Sequence, residues 1–369
     1  MKKSTLIITV LVIVFLIPAY FIFIYTVEKV TNQIIGGETN VLADYECKLK
    51  PKQREFTEGP YYSGPLIDTH VHMPVAFKII GTVAMKFGFE DMPAAVDIST
   101  GYINCLFDTE GITKTFGFFI VPNIIPIPGR MVSHVKNIEE KYPGKFVKFF
   151  MPPLPLQIIN PKFSTVKKIF NNNPGLFQGY GEARFDFNVG TNAHPEDEYF
   201  LEMYTLADEN NLIVQIHPDR GQLEALSRLL EKYPHVKFLA HVMPYYKKEI
   251  GTLMDAHDNL YYSLDAEIHY IFGYHTIQNN RGPTKEEYLK FIRGNFNSLL
   301  KEGLRDWKQI IEAHPDRFTW GSDRWYTWHF DSEVSGLVVE FGRAFIGHLD
   351  PAVQERFAYK NAERMLQDQ

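Results

Sequence analysis

From Leu66 onward the chain alternates short apolar runs with longer stretches in which apolar residues recur at helical spacing. The runs Leu66–His72, Thr115–Val121, Phe146–Phe150, Gly179–Phe185, Leu212–His217, Val236–His241, Leu260–Leu264 and Phe318–Asp323 have strand length. They are nearly continuous in apolar character, as strands buried on both faces are. Between them, Gly221–Pro234 (GQLEALSRLLEKYP) spaces its leucines along one helix face and stops at a proline. Asp197–Asn211 (DEYFLEMYTLADENN) repeats the pattern. Eight such runs alternating with helices predict an α/β fold, specifically a (β/α)8 TIM barrel. The competing arrangement is a doubly wound open sheet. It calls for a glycine-rich phosphate turn after the first strand, and none follows Leu66–His72.

Upstream of the barrel the pattern changes twice. Thr5–Tyr25 (TLIITVLVIVFLIPAYFIFIY) carries no charge and follows Lys2 and Lys3. A helix needs roughly 20 apolar residues to cross the hydrocarbon core, and this stretch suffices. A cleaved signal peptide has a shorter apolar region, about 7–15 residues, and then a small-residue cleavage site. No such site follows Tyr25. The segment is therefore expected to be an N-terminal transmembrane helix. Its two lysines favour a cytoplasmic N-terminus and place the barrel outside the cytoplasm. A secreted barrel, released by cleavage at an unusual site, is the alternative. Val27–Tyr62 is polar, lacks a period, and contains Gly36-Gly37, Pro51 and Pro60. The expected organisation is an anchor over 1–27, a tether or wrapping arm over 28–62, and the barrel over 63–369.

Composition adds little beyond exclusions. Formal net charge is −6 and no Lys/Arg run occurs, so no nucleic-acid partner is expected. Two cysteines do not make a disulfide framework, and Cys47 and Cys105 read most simply as free thiols.

The chemistry is expected where the strands end, because catalytic groups of such barrels project from the C-terminal ends of their strands. Strand one ends in LIDTHVHM, with Asp68, His70 and His72. Side chains at i and i+2 of a strand share a face, so all three are expected to face the barrel interior. Strand four ends with Glu182 and Arg184, strand five with His217, strand six with His241, and strand eight with Asp323 in FTWGSDRW. Two imidazoles on one face suit a divalent metal such as zinc, whose catalytic sites take about three protein ligands and leave a position open. His70, His72, His217 and Asp323 form one candidate set. Glu182 could bridge to a second ion with His241, so one or two ions fit. Asp323 has a second possible job, as general base toward an activated water. Taken singly, each residue has a plainer reading. Glu182 and Arg184 could be a buried ion pair, Asp323 a cap, and Asp68 a brace for strand one. Recurrence at five strand ends is what favours metal binding.

These residues in this order resemble the amidohydrolase superfamily of metal-dependent barrel enzymes. LIDTHVHM is similar to its first-strand signature and GSD to its last. Glu355–Leu366 (ERFAYKNAERML), with its Asn361-Ala362 pair, resembles the terminal helix of the amidohydrolase-related branch. The resemblance runs from about Leu66 to the C-terminus and leaves the anchor and arm uncovered. It implies that His70, His72 and His217 are metal ligands and that Asp323 is a ligand or the base. His241 would bind a second ion or contact substrate. Strand four offers Glu182 where several binuclear members carry a carboxylated lysine, which leaves the ion count open. The implied activity is hydrolysis of an amide, ester, lactone or related bond of a small molecule. Decarboxylation of an aromatic or unsaturated acid on the same kind of site is the alternative. A non-catalytic tethered binding protein is a third reading. Arg184, Arg324 and Trp325 are candidates for substrate contact, together with loops at Asp219-Arg220, Asp265–Tyr270 and the proline-rich VPNIIPIPG and MPPLPLQ.

Overall fold

The computed structural model describes residues 40–74, 98–121, 127–152, 161–185, 193–218, 221–241, 247–265 and 284–367. The strands are β1 (Leu66–His72), β2 (Ile112–Ile120), β3 (Phe146–Met151), β4 (Gly179–Arg184), β5 (Ile213–His217), β6 (Lys237–Ala240), β7 (Leu260–Leu264) and β8 (Phe318–Trp320). They pair in chain order, all in parallel. The crossovers contain α1 (Thr100–Glu110), α2 (Ile127–Lys141), α3 (Phe163–Asn172), α4 (Glu198–Glu209), α5 (Leu223–Lys232), α6 (Lys247–Ala256) and α7 (Lys285–Ala313). After β8 come α8 (Ser332–Gly347), α9 (Pro351–Glu355) and α10 (Asn361–Gln367). The sheet is nearly closed at the β1/β8 seam. His72 N–H donates to Arg324 O at 3.2 Å, and Thr69 Oγ1 lies 2.9 Å from Ser263 Oγ and 3.0 Å from Thr319 Oγ1. This is the predicted (β/α)8 barrel.

The helices cover the barrel as their patterns predict. In α5, Ala225, Leu226, Leu229 and Leu230 are buried while Glu224, Glu231 and Lys232 face outward. Below the barrel mouth, Ile67, Phe116, Val147, Ile213, Leu239 and Tyr261 pack as one cluster with Ala362 and Met365 of α10. The terminal helix thus plugs the bottom of the barrel, and Asn361 pins it there by donating to Pro315 O (2.9 Å) and Phe318 O (2.8 Å). An apolar floor of this kind leaves only the opposite, C-terminal face for polar chemistry.

β8 is shorter than the expected Phe318–Asp323. The chain leaves the sheet at Gly321, where a Cβ would overlap Asp265 Oδ1 and Ser263 Oγ. Asp323 then takes a left-handed φ of 46°, which few non-glycine residues adopt.

Residues 40–65 run over the barrel wall. Arg293 of α7 forks onto Glu55 with two contacts of 2.7 Å, and Phe56 stacks on Phe296 at 3.9 Å. Glu340 of α8 accepts from the backbone N–H groups of Glu55 and Phe56. The expectation of two free thiols is corrected here: Cys47 is disulfide-bonded to Cys105 of α1, with Cα atoms 5.4 Å apart. The cysteines are 58 positions apart, and only the path of residues 40–65 across α1 brings them together. No helix among the described residues is long and apolar enough to cross a membrane. The expected anchor, Thr5–Tyr25, lies outside the described residues.

The disulfide closes a long loop, so its loss relaxes the unfolded chain. Reduction, or the Cys47→Ser/Cys105→Ser pair, is expected to lower stability by about 2–4 kcal/mol, read as a lower denaturant midpoint.

Candidate metal centre

Two of the strands, β1 and β4, deliver their polar residues to the barrel mouth through a register shift. In β1 the pairing register with β2 shifts between Asp68 and Val71. His70 and His72 both reach the axis, their ring centroids 4.9 Å apart. Asp68 does not join them, which corrects the simple alternation expected from sequence. Its carboxylate turns to the segment after β8, accepting from Ser322 N–H at 2.9 Å, from Ser322 Oγ and from His70 N–H at 3.2 Å. In β4 the register shifts between Tyr180 and Ala183. There Gly181 has φ 125°, and a Cβ would overlap the carbonyl oxygen of Gln215 in β5. The shift places Glu182, 2% exposed, within the cluster at the barrel mouth. His217 ends β5, while His241 and Asp265 follow directly on β6 and β7.

Glu182 and Asp265 organise the cluster. Glu182 Oε1 lies 2.9 Å from His241 Nε2, 3.1 Å from His217 Nδ1 and 3.6 Å from Arg184 Nε. Its Oε2 is 3.7 Å from His72 Nε2. Asp265 Oδ2 accepts from His70 Nδ1 (3.1 Å) and His241 Nδ1 (2.8 Å), and Oδ1 accepts from Ser263 Oγ (2.7 Å). Asp323 Oδ1 stands 3.3 Å from His72 Nε2 and 3.6 Å from His70 Nε2.

Burial alone would neutralise these acids. Instead, Arg184 with His241 and His217 outweighs burial and holds Glu182 well below the usual carboxylate range. For Asp323, the neighbouring His70 and His72 likewise outweigh burial and hold its carboxyl far down. His70 and His241 do the same for Asp265. Burial pushes the His241 imidazole down, but Glu182 and Asp265 reverse this and raise it to about 10. His70 is raised despite its burial by Asp323 and Asp265, whereas burial prevails at His72 and lowers it.

The donor set fits a divalent cation. His70, Glu182 and His241 present ligand atoms within 4.8 Å of one another, and so do His70, His72 and Asp323. His70 Nε2 and Glu182 Oε2 are buried without a hydrogen-bond partner among the described residues. Native structures rarely tolerate such orphans. With His70 Nδ1 committed to Asp265, Nε2 is the ring atom left to face an ion. Nitrogen and carboxylate oxygen donors of this kind suit zinc.

Of the residues proposed from sequence, the structure gathers His70, His72, Glu182, His241 and Asp323. His217 joins through Glu182 but belongs to neither ligand set. Trp325 sets its ring edgewise to His72, with centroids 4.6 Å apart, and Arg184 is partly exposed beside Glu182. Arg324 is a correction. Its side chain is 1% exposed and turns away from the mouth to Glu110, Ser322, Ser335 and His329 O. It is in no position to touch a substrate. Residues 219–220 and 266–270, and most of the two proline-rich loops, lie outside the described residues. Sequence reading placed Asp265 on the pocket wall. Its shared contact with two imidazoles is a tertiary feature, although the run ending in Ser263-Leu264-Asp265 follows the same pattern of an apolar strand closed by a polar residue.

A family model described as amidohydrolase matches residues 176–367, just over half of the chain. That span includes Glu182, His217, His241, Asp265 and Asp323. Comparison with curated proteins gives no match. Among solved structures, the chain is similar to an amidohydrolase from Burkholderia multivorans with bound zinc (11% identity, TM-score 0.53). The alignment covers 82% of this chain and 99% of that one. It is also similar to a probable 2-pyrone-4,6-dicarboxylic acid hydrolase from Acinetobacter baumannii, at 14% identity and TM-score 0.49 over 82% and 99% of the two chains. A third is a 2,6-dihydroxybenzoate decarboxylase, at 12% identity and TM-score 0.43 over 83% and 99%. At such identities the likeness concerns the fold.

Two outcomes follow from the geometry. Gly321→Ala pushes a methyl group into Asp265 and Ser263, so zinc affinity is expected to fall by about 10–100-fold, measured by chelator competition. In the metal-free chain His241 holds its proton below about pH 10, and an ion taken up on Nε2 must expel it. Zinc binding is therefore expected to tighten as pH rises from 6 to 8, by about tenfold per pH unit for each proton released. Titration calorimetry in buffers of different ionisation enthalpy counts those protons.

Proposed function

The chain belongs to the amidohydrolase family; from that premise we propose that it is a metal-dependent hydrolase of a small molecule, cutting an amide, ester, lactone or related bond. The observation that carries this reading is that His70 Nε2 and Glu182 Oε2 are both buried and without a hydrogen-bond partner among the described residues, while His70 groups at ligand distance with Glu182 and His241 and also with His72 and Asp323. In this reading His70, His72, Glu182, His241 and Asp323 hold one or two divalent ions, zinc foremost, with His217 steadying Glu182. When bound, such an ion polarises the substrate's oxygen and lowers the pKa of a water to about 7.

The chain's own groups supply the rest. Asp323, kept ionised by the two β1 histidines, accepts the proton of the attacking water and delivers it to the leaving group. His241, bridged between Glu182 and Asp265, brings positive charge beside the charge developing on the substrate oxygen whenever it is not itself a ligand. Trp325 forms an apolar wall beside His72, and Arg184 at the rim favours an acidic substrate. We further propose that the barrel works outside the cytoplasm, tethered through Thr5–Tyr25. The Cys47–Cys105 disulfide supports an oxidising compartment, and Lys2 and Lys3 support the orientation.

Elemental analysis of the full chain and of a His70→Ala/His72→Ala variant tests this. The wild type is expected to carry about one or two ions per chain and the variant to lose them. No metal after reconstitution with zinc or manganese would sink the reading. Carbon dioxide release from aromatic or unsaturated acids, without net hydrolysis, would replace the hydrolase with a decarboxylase on the same residues.

A further inference from the structure

Arg324 directly follows Asp323, yet its guanidinium is buried on the far side of the strand from the metal centre. It lies between β1, α1 and α8. Nε donates to Ser322 Oγ at 3.1 Å and stands 3.6 Å from Asp68 Oδ2. Nη1 donates to His329 O at 3.2 Å and to Ser335 Oγ of α8. Nη2 donates to Glu110 Oε2 of α1 at 3.2 Å, and the Phe107 ring lies 4.8 Å from the guanidinium carbon. One side chain thus joins two helices, the turn at Thr327–Phe330 and the segment that carries Asp323.

The backbone connections run from this hub to one half of the metal centre. Arg324 O accepts from His72 N–H. Asp68, beside the guanidinium, accepts from His70 N–H and from both the N–H and the hydroxyl of Ser322. Ser322 and Arg324 flank Asp323 and are each held, which fixes Asp323 in its left-handed conformation. His70, His72 and Asp323 are one of the two candidate ligand sets. Glu182 and His241 have no hydrogen bond of this kind to Arg324 or Asp68 among the described residues. A lysine would keep the charge here but lose the planar fork that reaches Ser322, Ser335 and Glu110 at once.

We infer that Arg324 is a positioning residue that acts through Ser322 and Asp68 to set the His70–His72–Asp323 ligand geometry, without touching metal or substrate. The inference rests on the metal-dependent reading of the site. Two readouts on the full chain test it, neither needing a substrate: zinc affinity by chelator competition, and the absorption spectrum of bound cobalt(II). Arg324→Lys is expected to weaken zinc binding about tenfold or more and to shift the cobalt bands. Ser322→Ala removes the hydroxyl that links the guanidinium to the Asp68 carboxylate and leaves the Arg324–Glu110 pair intact. It is expected to shift the same bands, and it carries the test if Arg324→Lys fails to fold. Wild-type zinc affinity and an unchanged cobalt spectrum in the folded variants would overturn the inference and leave Arg324 a packing residue. A wild-type chain that binds neither ion would instead overturn the metal reading, and this inference with it.

Discussion

One carboxylate oxygen, Asp265 Oδ2, accepts from the Nδ1 atoms of both His70 and His241. The orientation of both imidazoles at the centre of the barrel mouth depends on this shared bond. It draws the two rings together, with centroids 4.5 Å apart and planes nearly perpendicular. It also commits one nitrogen of each ring, so that the Nε2 atoms face the axis. Asp265 is in turn held by Ser263, whose hydroxyl lies within hydrogen-bond distance of Thr69 at the β1/β8 seam. Closure of the barrel and orientation of the imidazoles are therefore parts of one hydrogen-bonded structure.

Close packing at the mouth also explains two glycines. Gly321 lets the chain pass beside Asp265 and Ser263, and Gly181 lets the end of β4 pass against the backbone of β5. In both places the backbone must come closer than any Cβ allows. Each glycine stands next to a segment that presents a carboxylate, Asp323 in one case and Glu182 in the other. The acids stay ionised because each meets cations or imidazoles at the moment it is buried. Buried charge of this kind adds little to stability, and its value here lies in fixed geometry.

Outside the mouth, the chain spends its apolar residues in the ordinary way. The floor cluster with Met365 excludes water from the lower barrel. Residues 40–65 cover α7 and α8 through Phe56, Glu55 and Tyr62, and the disulfide fastens them to α1. Because α1 also carries Glu110, the partner of Arg324, the arm and the Asp323 segment are tied to the same helix.

By itself the sequence determined the strand order, the barrel and most of the polar residues that gather at its mouth. Apolar runs ending in His72, Glu182, His217 and His241 announce buried strands with polar tips, and that pattern depends only on local periodicity. It could not decide where Asp68, Arg324, Asp265 and the cysteines act, because those roles depend on contacts between positions far apart in the chain. A register shift inside β1 turns Asp68 off the axis. Arg324 reads as a rim residue until α1 and α8 close over it. Asp265 becomes central only when the ends of β1 and β6 arrive on either side of it. Cys47 meets Cys105 only once the arm lies on α1. Periodicity states which residues are buried, and tertiary packing states which of them meet.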